Sequence, residues 1–454
     1  FYLPPAPVSG AEEQIPDNEL YNGISIEMWG IWHMPSFVVL PLLMLALLLT
    51  NTMAVQLQMR MVRKSAFIQT LLRWCNSARF FALATCVLFC FSLMEIVFQS
   101  PILNDWPAHL HHLDNFRAGV RHYDSFMHYH GPNTYPAGFM VLYTGLDAVA
   151  NASAQVYQLL WASMEMGNFW ILRSLCLALE LPPALALFAV ASNRLHLYNV
   201  RVLINDFPTM VLLHGSLLLA AKRRPFWSAL IFALSFSTKM NVIAYLPSLV
   251  WLVWLEFGML TVLLACVIFV SVNVCLAWPF VQSSAAAYLR GAFDLSRTLL
   301  WEKTRNFKWV GRIQYESREW HMFLLLALLL SLLWLSLWVW RHRQRPLRDP
   351  HSRALVLFSS SFFFILWARG LYTPFLSWYF YVFPLLTWSS GLSLLHIAIY
   401  WLGTEILFRV WGHFLIEVWT TYLYFLINLS VFLRIIWVTR HGPATRAVGK
   451  EKLA

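Results

Sequence analysis

Apolar runs of membrane-spanning length limit what this chain can fold into more than any other feature. Such runs occur near 34–52, 80–98, 136–150, 169–191, 207–221, 226–238, 241–256, 259–281, 320–340, 354–368, 376–400 and 419–438. Charged residues make up only 12% of the sequence, about half of the fraction in a soluble domain. Because a helix needs about 20 apolar residues to cross a bilayer, we predict an all-α polytopic membrane protein with roughly 10–13 transmembrane helices.

The basic residues cluster between these runs, and the clusters predict the topology. The net charge is +11, and the clusters lie at 60–64, 222–224, 341–348 and 440–452. Such clusters are typical of the cytoplasmic ends of membrane helices, so we expect no nucleic-acid partner. Four polar segments should then meet at the opposite face, namely 99–135, 205–206, 283–319 and 369–375. Ionisable residues gathered at one surface favour an interfacial active site over a channel.

Asp105, in the sequence NDWP, follows the run at 80–98 closely and should lie near the membrane surface. A carboxylate there is a candidate proton acceptor. The same pattern is also a helix start, because Asp at the N-cap with Pro shortly after is a common signal. Position alone favours the helix start.

Two cations near the ends of apolar runs are candidate ligands of a lipid phosphate. Arg201 and Asn205 are four residues apart, which places them on one helical face, and an arginine near the surface suits a phosphate. Capping and snorkelling explain Arg201 equally well. Lys239 interrupts two apolar runs, and a lysine at depth is costly enough to indicate function.

Other polar and aromatic stretches predict surface structure. Residues 292–309 have the pattern of an amphipathic interfacial helix, and residues 371–384 are typical of an aromatic belt. The histidines of 109–130 lack metal-ligand spacing, so we expect no metal. The six cysteines are predicted to pack in the core without a redox role; they are Cys75, Cys86, Cys90, Cys176, Cys266 and Cys275.

Several motifs in a fixed order resemble one family. They are DWPA (105–108), GP and YPAGF (131–139), NRLHLYNVRVLINDFPTM (193–210), FALSFSTKMNVIAYLP (232–247), YLRGAFDLSR (288–297) and FLSWYFYVFP (375–384). Together they resemble the endoplasmic reticulum α-1,3-mannosyltransferases that use dolichyl phosphate mannose. The similarity runs from about residue 80 to 390. The chain departs from the family pattern at His112, where Glu is usual, at Tyr372, where His is usual, and in RNFKW (305–309).

The resemblance implies a GT-C-like bundle with lumenal interfacial loop helices in the endoplasmic reticulum membrane. Residues 1–78 would form an N-terminal extension with one span and a basic cytosolic segment. Residues 79–440 would form the catalytic domain, and 441–454 a cytosolic tail whose KEKLA end resembles a dilysine retrieval signal. The partners would be membrane lipids, dolichyl phosphate mannose and the acceptor Man5GlcNAc2-pyrophosphoryl-dolichol.

The resemblance also implies a mechanism and a set of site residues. The donor is β-linked and the product α-linked, so the configuration inverts in a single displacement with Asp105 as base and no metal or cofactor. Arg201, Lys239 and Arg369 would bind the donor phosphate. The substrate-binding candidates are Trp106, Tyr135, Asn205, Asp206, Asp294, Arg297, Tyr372 and Trp378. Alternatives are another polyprenyl-phosphate-sugar transferase, such as a glycolipid-anchor, α-1,2 or α-1,6 mannosyltransferase, or a multi-pass transporter or scramblase.

Overall fold

A computed structural model describes residues 34–103, 105–129, 131–294, 300–408 and 414–441, and α-helices dominate it. The first ten helices are α1 Met34–Lys64, α2 Ala66–Asn76, α3 Ala78–Phe98, α4 Trp106–Arg117, α5 Ala137–Ala150, α6 Ala154–Ala178, α7 Leu187–Val190, α8 Asn193–His196, α9 Asp206–Ala221 and α10 Pro225–Thr238. The others are α11 Leu246–Phe257, α12 Met259–Ala292, α13 Arg312–Glu316, α14 Arg318–Arg341, α15 Gln344–Arg348, α16 Pro350–Leu366, α17 Ser377–Phe380, α18 Phe383–Ser389, α19 Leu394–Leu407 and α20 Phe414–His441. Two short strands, β1 Met127–His128 and β2 Gly131–Pro132, pair antiparallel.

Five helical segments of the described chain are long and apolar enough to cross a membrane. They are Ala78–Phe98, Met240–Phe257, Met259–Ala292, Arg318–Arg341 and Glu417–His441, and the bent pair Asn193–Arg201 and Asp206–Ala221 qualifies as a sixth. Four shorter apolar helices are Ala137–Ala150, Pro225–Thr238, Pro350–Leu366 and Leu394–Leu407. These helices confirm the all-α polytopic class, whereas the number of crossings stays a prediction.

The helices begin where the sequence supplies capping side chains. The hydroxyl of Ser77 accepts a hydrogen bond from the Phe80 N–H (3.2 Å) at the start of α3. Ser317 caps α14 in the same way (3.2 Å), and the Asp349 carboxylate caps α16 through the Ser352 N–H (3.2 Å). Each cap satisfies a backbone donor that has no partner within its helix.

The outer helices expose their apolar side chains, as contact with lipid requires. Leu260 and Val267 of α12 are 70% and 61% exposed, whereas Val431 and Ile435 of α20 are fully buried. The prediction that all six cysteines pack in the core is therefore wrong. Cys176 is buried, but the pair on α3 and the pair on α12 are exposed, because those helices turn most of their surface outward.

Basic residues gather at one end of the bundle. Arg353 donates to the Ala221 carbonyl (2.9 Å) and pairs with Glu256 (2.6 Å), which also pairs with Arg223 (3.5 Å). Nearby, Arg345 reaches the Thr439 carbonyl (3.5 Å). The segments predicted to be cytoplasmic at 222–224 and 341–348 therefore lie on the same side, away from the polar segments described below.

Two predicted elements are wrong in their described residues. α12 ends at Ala292, and residues 300–309 form 3₁₀ turns at Trp301–Lys303 and Lys308–Val310 instead of a continuous helix, while residues 295–299 of the predicted interfacial helix lie outside the described residues. Within the described stretch, the Arg305 N–H bonds to the Leu371 carbonyl (2.8 Å) and not to a helical partner. The run at 376–400 breaks after Ser389 because Gly391 takes a positive φ of 76°, and Arg434 donates to the Ser390 carbonyl (3.0 Å).

The substitution Gly138→Ala should destabilise the protein. A Cβ on Gly138 would lie 2.8 Å from the carbonyl carbon of Ser237, because the start of α5 approaches the end of α10 closely. Overpacking of this kind costs about 1–3 kcal/mol. We expect a lower midpoint of thermal unfolding in detergent. Gly145→Ala on the same helix meets open space and is the control; equal midpoints for the two variants would contradict the close approach.

Candidate active site

A buried ion pair lies at the end of the bundle opposite the basic clusters. The Lys239 ammonium contacts the Asp206 carboxylate (2.6 Å) and the Asn205 side-chain oxygen (3.1 Å). The indole N–H of Trp378 donates to the other oxygen of Asp206. Asp206 and Asn205 are 3% and 4% exposed. This lysine and carboxylate cluster therefore joins residues that are more than 170 positions apart in sequence.

The chain breaks its helices to build this cluster. The segment 193–201 ends in a π-helix, Leu197–Arg201, and the next helix starts at Asp206 after a 116° bend. Leu203, between them, has a positive φ of 56°. Arg201 and Asn205 therefore do not share a helical face, and that prediction is wrong. Lys239 follows the last residue of α10 in an extended conformation, which turns its side chain toward Asp206.

Aromatic rings surround the lysine. Its ammonium lies 5.5 Å from the centre of the Tyr135 ring and 5.6 Å from that of Phe375. Phe375 stacks between Trp378 (4.3 Å) and Tyr372 (5.6 Å). Rings at these distances attract a cation and keep water away from it. Residues from the loop 99–135 and from the segment 371–378 therefore meet at Lys239, as the topology predicted.

The same end also includes the polar residues after α12. The Leu300 N–H bonds to the Tyr372 hydroxyl (3.2 Å), and the Arg305 guanidinium donates to the Thr373 hydroxyl (3.1 Å). On the other side, the Ile102 N–H bonds to the Arg201 carbonyl (2.8 Å). All four polar segments are thus connected, which confirms that they gather at one end.

Asp105 is the N-cap residue of α4, and its side chain is exposed and makes no capping hydrogen bond. The prediction that a helix begins at Asp105 is confirmed, but the Asp105 carboxylate forms no hydrogen bond with the first turn of that helix. Its backbone carbonyl accepts from the His109 N–H (3.1 Å) one turn further on. The carboxylate therefore has its oxygen atoms available, one helical turn from the buried His109.

His109 lies below Asp105 and is only 3% exposed. Its ring packs edge-on against Tyr135 (5.7 Å), Phe139 (5.3 Å) and Tyr143 (5.9 Å). Burial, the neighbouring His112 and the positive charge of Lys239 lower the pKa of His109 to about 3. The imidazole is therefore neutral at physiological pH. Sequence reasoning missed His109 as a site residue, because no pattern among the surrounding aromatic and turn residues predicted that their rings would pack on it.

A second polar cluster supports the broken helix. His196 bridges the carboxylates of Glu95 (2.6 Å) and Glu165 (2.7 Å) through its two ring nitrogens. Arg201 also lies against Glu95 (3.6 Å) and donates to the Ser100 carbonyl (3.2 Å). Sequence reasoning missed Glu95 and Glu165, although acidic residues inside apolar runs are a known signal of function.

A third polar cluster contains two buried cations. Lys308 pairs with Glu417, and Arg305 lies 4.0 Å from the same carboxylate. Arg305 and Lys308 are 7% and 6% exposed. Glu417 therefore contacts two cations that lie close together in the sequence. The sequence motif RNFKW contained both cations, but only the fold brings them to Glu417.

The remaining candidates lie at different depths. Trp106 is 3% exposed and packs on Tyr157 (4.1 Å between rings), so it belongs to the core. Asp294 is exposed at the end of α12, and Arg297 lies outside the described residues. Arg369 is exposed on the loop after α16 and interacts electrostatically with Tyr315. Among the described residues, no group of three His, Cys, Asp or Glu side chains is placed to hold a metal ion.

These features define a polytopic membrane protein with a polar, aromatic-walled site at one membrane interface. The ALG3 protein family model matches residues 79–413, and the chain belongs to this family. It is 30% identical over 308 residues to the human Dol-P-Man:Man(5)GlcNAc(2)-PP-Dol alpha-1,3-mannosyltransferase, covering 63% of this chain and 70% of the human one. It is 29% identical over 336 residues to the Arabidopsis thaliana protein of the same name, covering 68% and 76%. No solved structure matches the chain.

The neutral state of His109 predicts a pH-dependent stability. Its folded pKa of about 3 lies below the ordinary value of 6.5, so the unfolded chain takes up the proton first as pH falls. The stabilising contribution is complete above about pH 6.5 and falls by about 1.4 kcal/mol per pH unit toward pH 3. Thermal unfolding at pH 5 and 7.5 measures this slope.

The variant His109→Phe keeps a ring in place and should flatten the slope. His122→Phe changes an exposed imidazole of the same loop and should keep the wild-type slope. Equal slopes in wild type and His109→Phe would show that His109 is not buried neutral.

Proposed function

We propose that this protein transfers mannose from dolichyl phosphate mannose to Man5GlcNAc2-pyrophosphoryl-dolichol and forms an α-1,3 linkage. It is a glycosyltransferase of the ALG3 family, and its relatives carry this activity in their names. The observation that carries the proposal is that the polar end of the bundle has both the Lys239 and Asp206 cluster and, at the start of the loop helix α4, an unengaged carboxylate. Both substrates are lipid-linked, so a site at the membrane edge reaches them without a soluble sugar-nucleotide domain.

Asp105 is the base of our proposal because its oxygen atoms are free to accept a proton. Asp206, the other carboxylate of the site, already accepts from Lys239 and Trp378. Both of its oxygen atoms are therefore already engaged by donors, whereas Asp105 makes no side-chain capping hydrogen bond. In an inverting displacement, Asp105 removes the proton of the acceptor hydroxyl while the phosphate leaves from the opposite face of the sugar. The transition state has oxocarbenium character, as in glycoside hydrolysis.

The departing phosphate is an anion and needs cations. Lys239 has three N–H donors, of which Asp206 and Asn205 accept two, and the third is available to a phosphate oxygen. Arg305 and Lys308, which lie against Glu417, are two further cations at this end of the bundle. Arg201, which Glu95 partly neutralises, and Arg369 are further candidates for the same phosphate.

We also propose that the enzyme works in the endoplasmic reticulum membrane with this site facing the lumen. The basic end of the bundle is then cytosolic, as the positive-inside rule requires. The KEKLA end, which resembles a retrieval signal, lies outside the described residues.

Chelation of divalent cations should leave the activity intact, because a carboxylate base and fixed cations suffice for the displacement.

Asp105→Asn should abolish mannosyl transfer, because the amide cannot take the acceptor proton. Loss of a general base costs about 10²- to 10⁴-fold in rate. Purified protein, dolichyl phosphate mannose and a short lipid-linked glycan allow the product mass and linkage to be measured. Asp114→Asn, an exposed position on the same helix, is the control. Wild-type turnover by Asp105→Asn would remove Asp105 from the mechanism.

Lys239→Ala should raise the KM for the donor by roughly 10- to 100-fold, since a hydrogen bond to a charged group contributes about 1.5–3 kcal/mol. The single variant leaves Asp206 as an unpaired buried charge and so reduces stability. The double variant Lys239→Ala/Asp206→Asn removes that charge and tests binding separately. A wild-type donor KM in the double variant would show that the pair is structural only.

A further inference from the structure

Several buried polar atoms beside the Lys239 and Asp206 pair lack hydrogen-bond partners. They are both ring nitrogens of His109, the hydroxyl of Tyr143 and the side-chain nitrogen of Asn205. These three residues are 3%, 1% and 4% exposed. Leaving a buried donor or acceptor unpaired costs about 1–3 kcal/mol. Such atoms at a functional site indicate that something else satisfies them.

The three side chains surround one place. The rings of His109 and Tyr143 are 5.9 Å apart. His109 interacts electrostatically with Lys239, and Tyr143 with Asp206. The Asn205 oxygen accepts from Lys239 (3.1 Å), which leaves its nitrogen to face another partner. The unsatisfied atoms therefore line the same ion pair that the proposed function uses.

The chemistry of these groups suits a neutral polyol. His109 is uncharged, and a phenol and an amide complete the set, so the groups offer both donors and acceptors without net charge. Tyr135, Phe139 and Tyr143 form a continuous aromatic wall, with ring centres 4.7 and 4.5 Å apart along the series. A pyranose has this double character, because its C–H faces pack on rings while its hydroxyls form hydrogen bonds.

The position also fits an inverting displacement. His109 lies one helical turn from Asp105, which corresponds to a rise of about 5.4 Å, and its ring packs on Tyr135 (5.7 Å), which also lies 5.5 Å from the Lys239 ammonium. A sugar held at His109 is therefore adjacent to the proposed base and to the cation that receives the phosphate. The half-buried ring of Tyr135 therefore joins the histidine to the cation.

We propose that His109, Tyr143 and Asn205 form the subsite for the transferred hexosyl group. Their hydrogen bonds to its hydroxyls select the sugar by the orientation of those hydroxyls. This inference rests on the proposed function and adds the residues that select the sugar. The lipid phosphate binds at Lys239, and the sugar ring binds between these three side chains.

The test uses His109→Phe and Tyr143→Phe in the purified full chain. Each change keeps the ring and removes hydrogen-bonding atoms. The donors are dolichyl phosphate mannose and its C2 epimer, dolichyl phosphate glucose. We expect kcat/KM for the mannosyl donor to fall roughly 10- to 100-fold, the loss of one or two buried hydrogen bonds, and the preference over the glucosyl donor to narrow. Inhibition by sugar-free dolichyl phosphate should not change, since that ligand contacts only the cations.

Tyr400→Phe removes the hydroxyl of a fully buried tyrosine on α19 and should leave all three measurements at wild-type values. If both site variants keep the wild-type kcat/KM and sugar preference, the subsite is wrong while the proposed function stands. The subsite is also wrong if inhibition by dolichyl phosphate weakens as much as donor use, because that result indicates a general structural defect. If the wild type forms no α-1,3 product, the proposed function fails and the subsite with it.

Discussion

The ion pair between Lys239 and Asp206 is the interaction on which the site depends. The Asp206 carboxylate is buried and the Lys239 side chain is mostly shielded from solvent, and a buried charge without its partner costs several kcal/mol. The pair therefore fixes the end of α10 against the start of α9, with Asn205 as a second acceptor. The indole N–H of Trp378, from the C-terminal part of the chain, donates to the same carboxylate. Segments that are distant in sequence become one site because they share this pair.

Irregular backbone is concentrated at the polar end, where protein rather than lipid surrounds it. The π-helix Leu197–Arg201, the bend before Asp206 and the 3₁₀ turns at 301–310 all lie there. A bilayer tolerates non-helical backbone only where other groups satisfy its N–H and C=O atoms. At the broken helix, the Arg201 carbonyl accepts from the Ile102 N–H (2.8 Å), and the Glu95, His196 and Glu165 side chains hold the segment in place.

Individual residues show how far sequence reasoning reached. The run at 80–98 predicted the helix Ala78–Phe98 closely, because an apolar span needs no distant partner to form. The predictions of a helix over the described residues of 292–309 and of a shared face for Arg201 and Asn205 failed. In the first case the Arg305 N–H bonds to the distant Leu371 carbonyl. In the second the chain bends by 116° between the two residues, with Leu203 at a positive φ.

The sequence by itself determined that this chain is an all-α membrane protein, where its polar segments gather and which family motifs it carries. Apolar runs and charge clusters are properties of consecutive residues, so they can be recognised in the sequence without knowledge of the tertiary structure. Only the tertiary structure decided that Asp206 is held by Lys239 and Trp378 while the Asp105 carboxylate is left unengaged, and that His109 is buried and neutral. The chemistry of an ionisable group depends on partners within a few ångströms, and here those partners come from distant parts of the sequence.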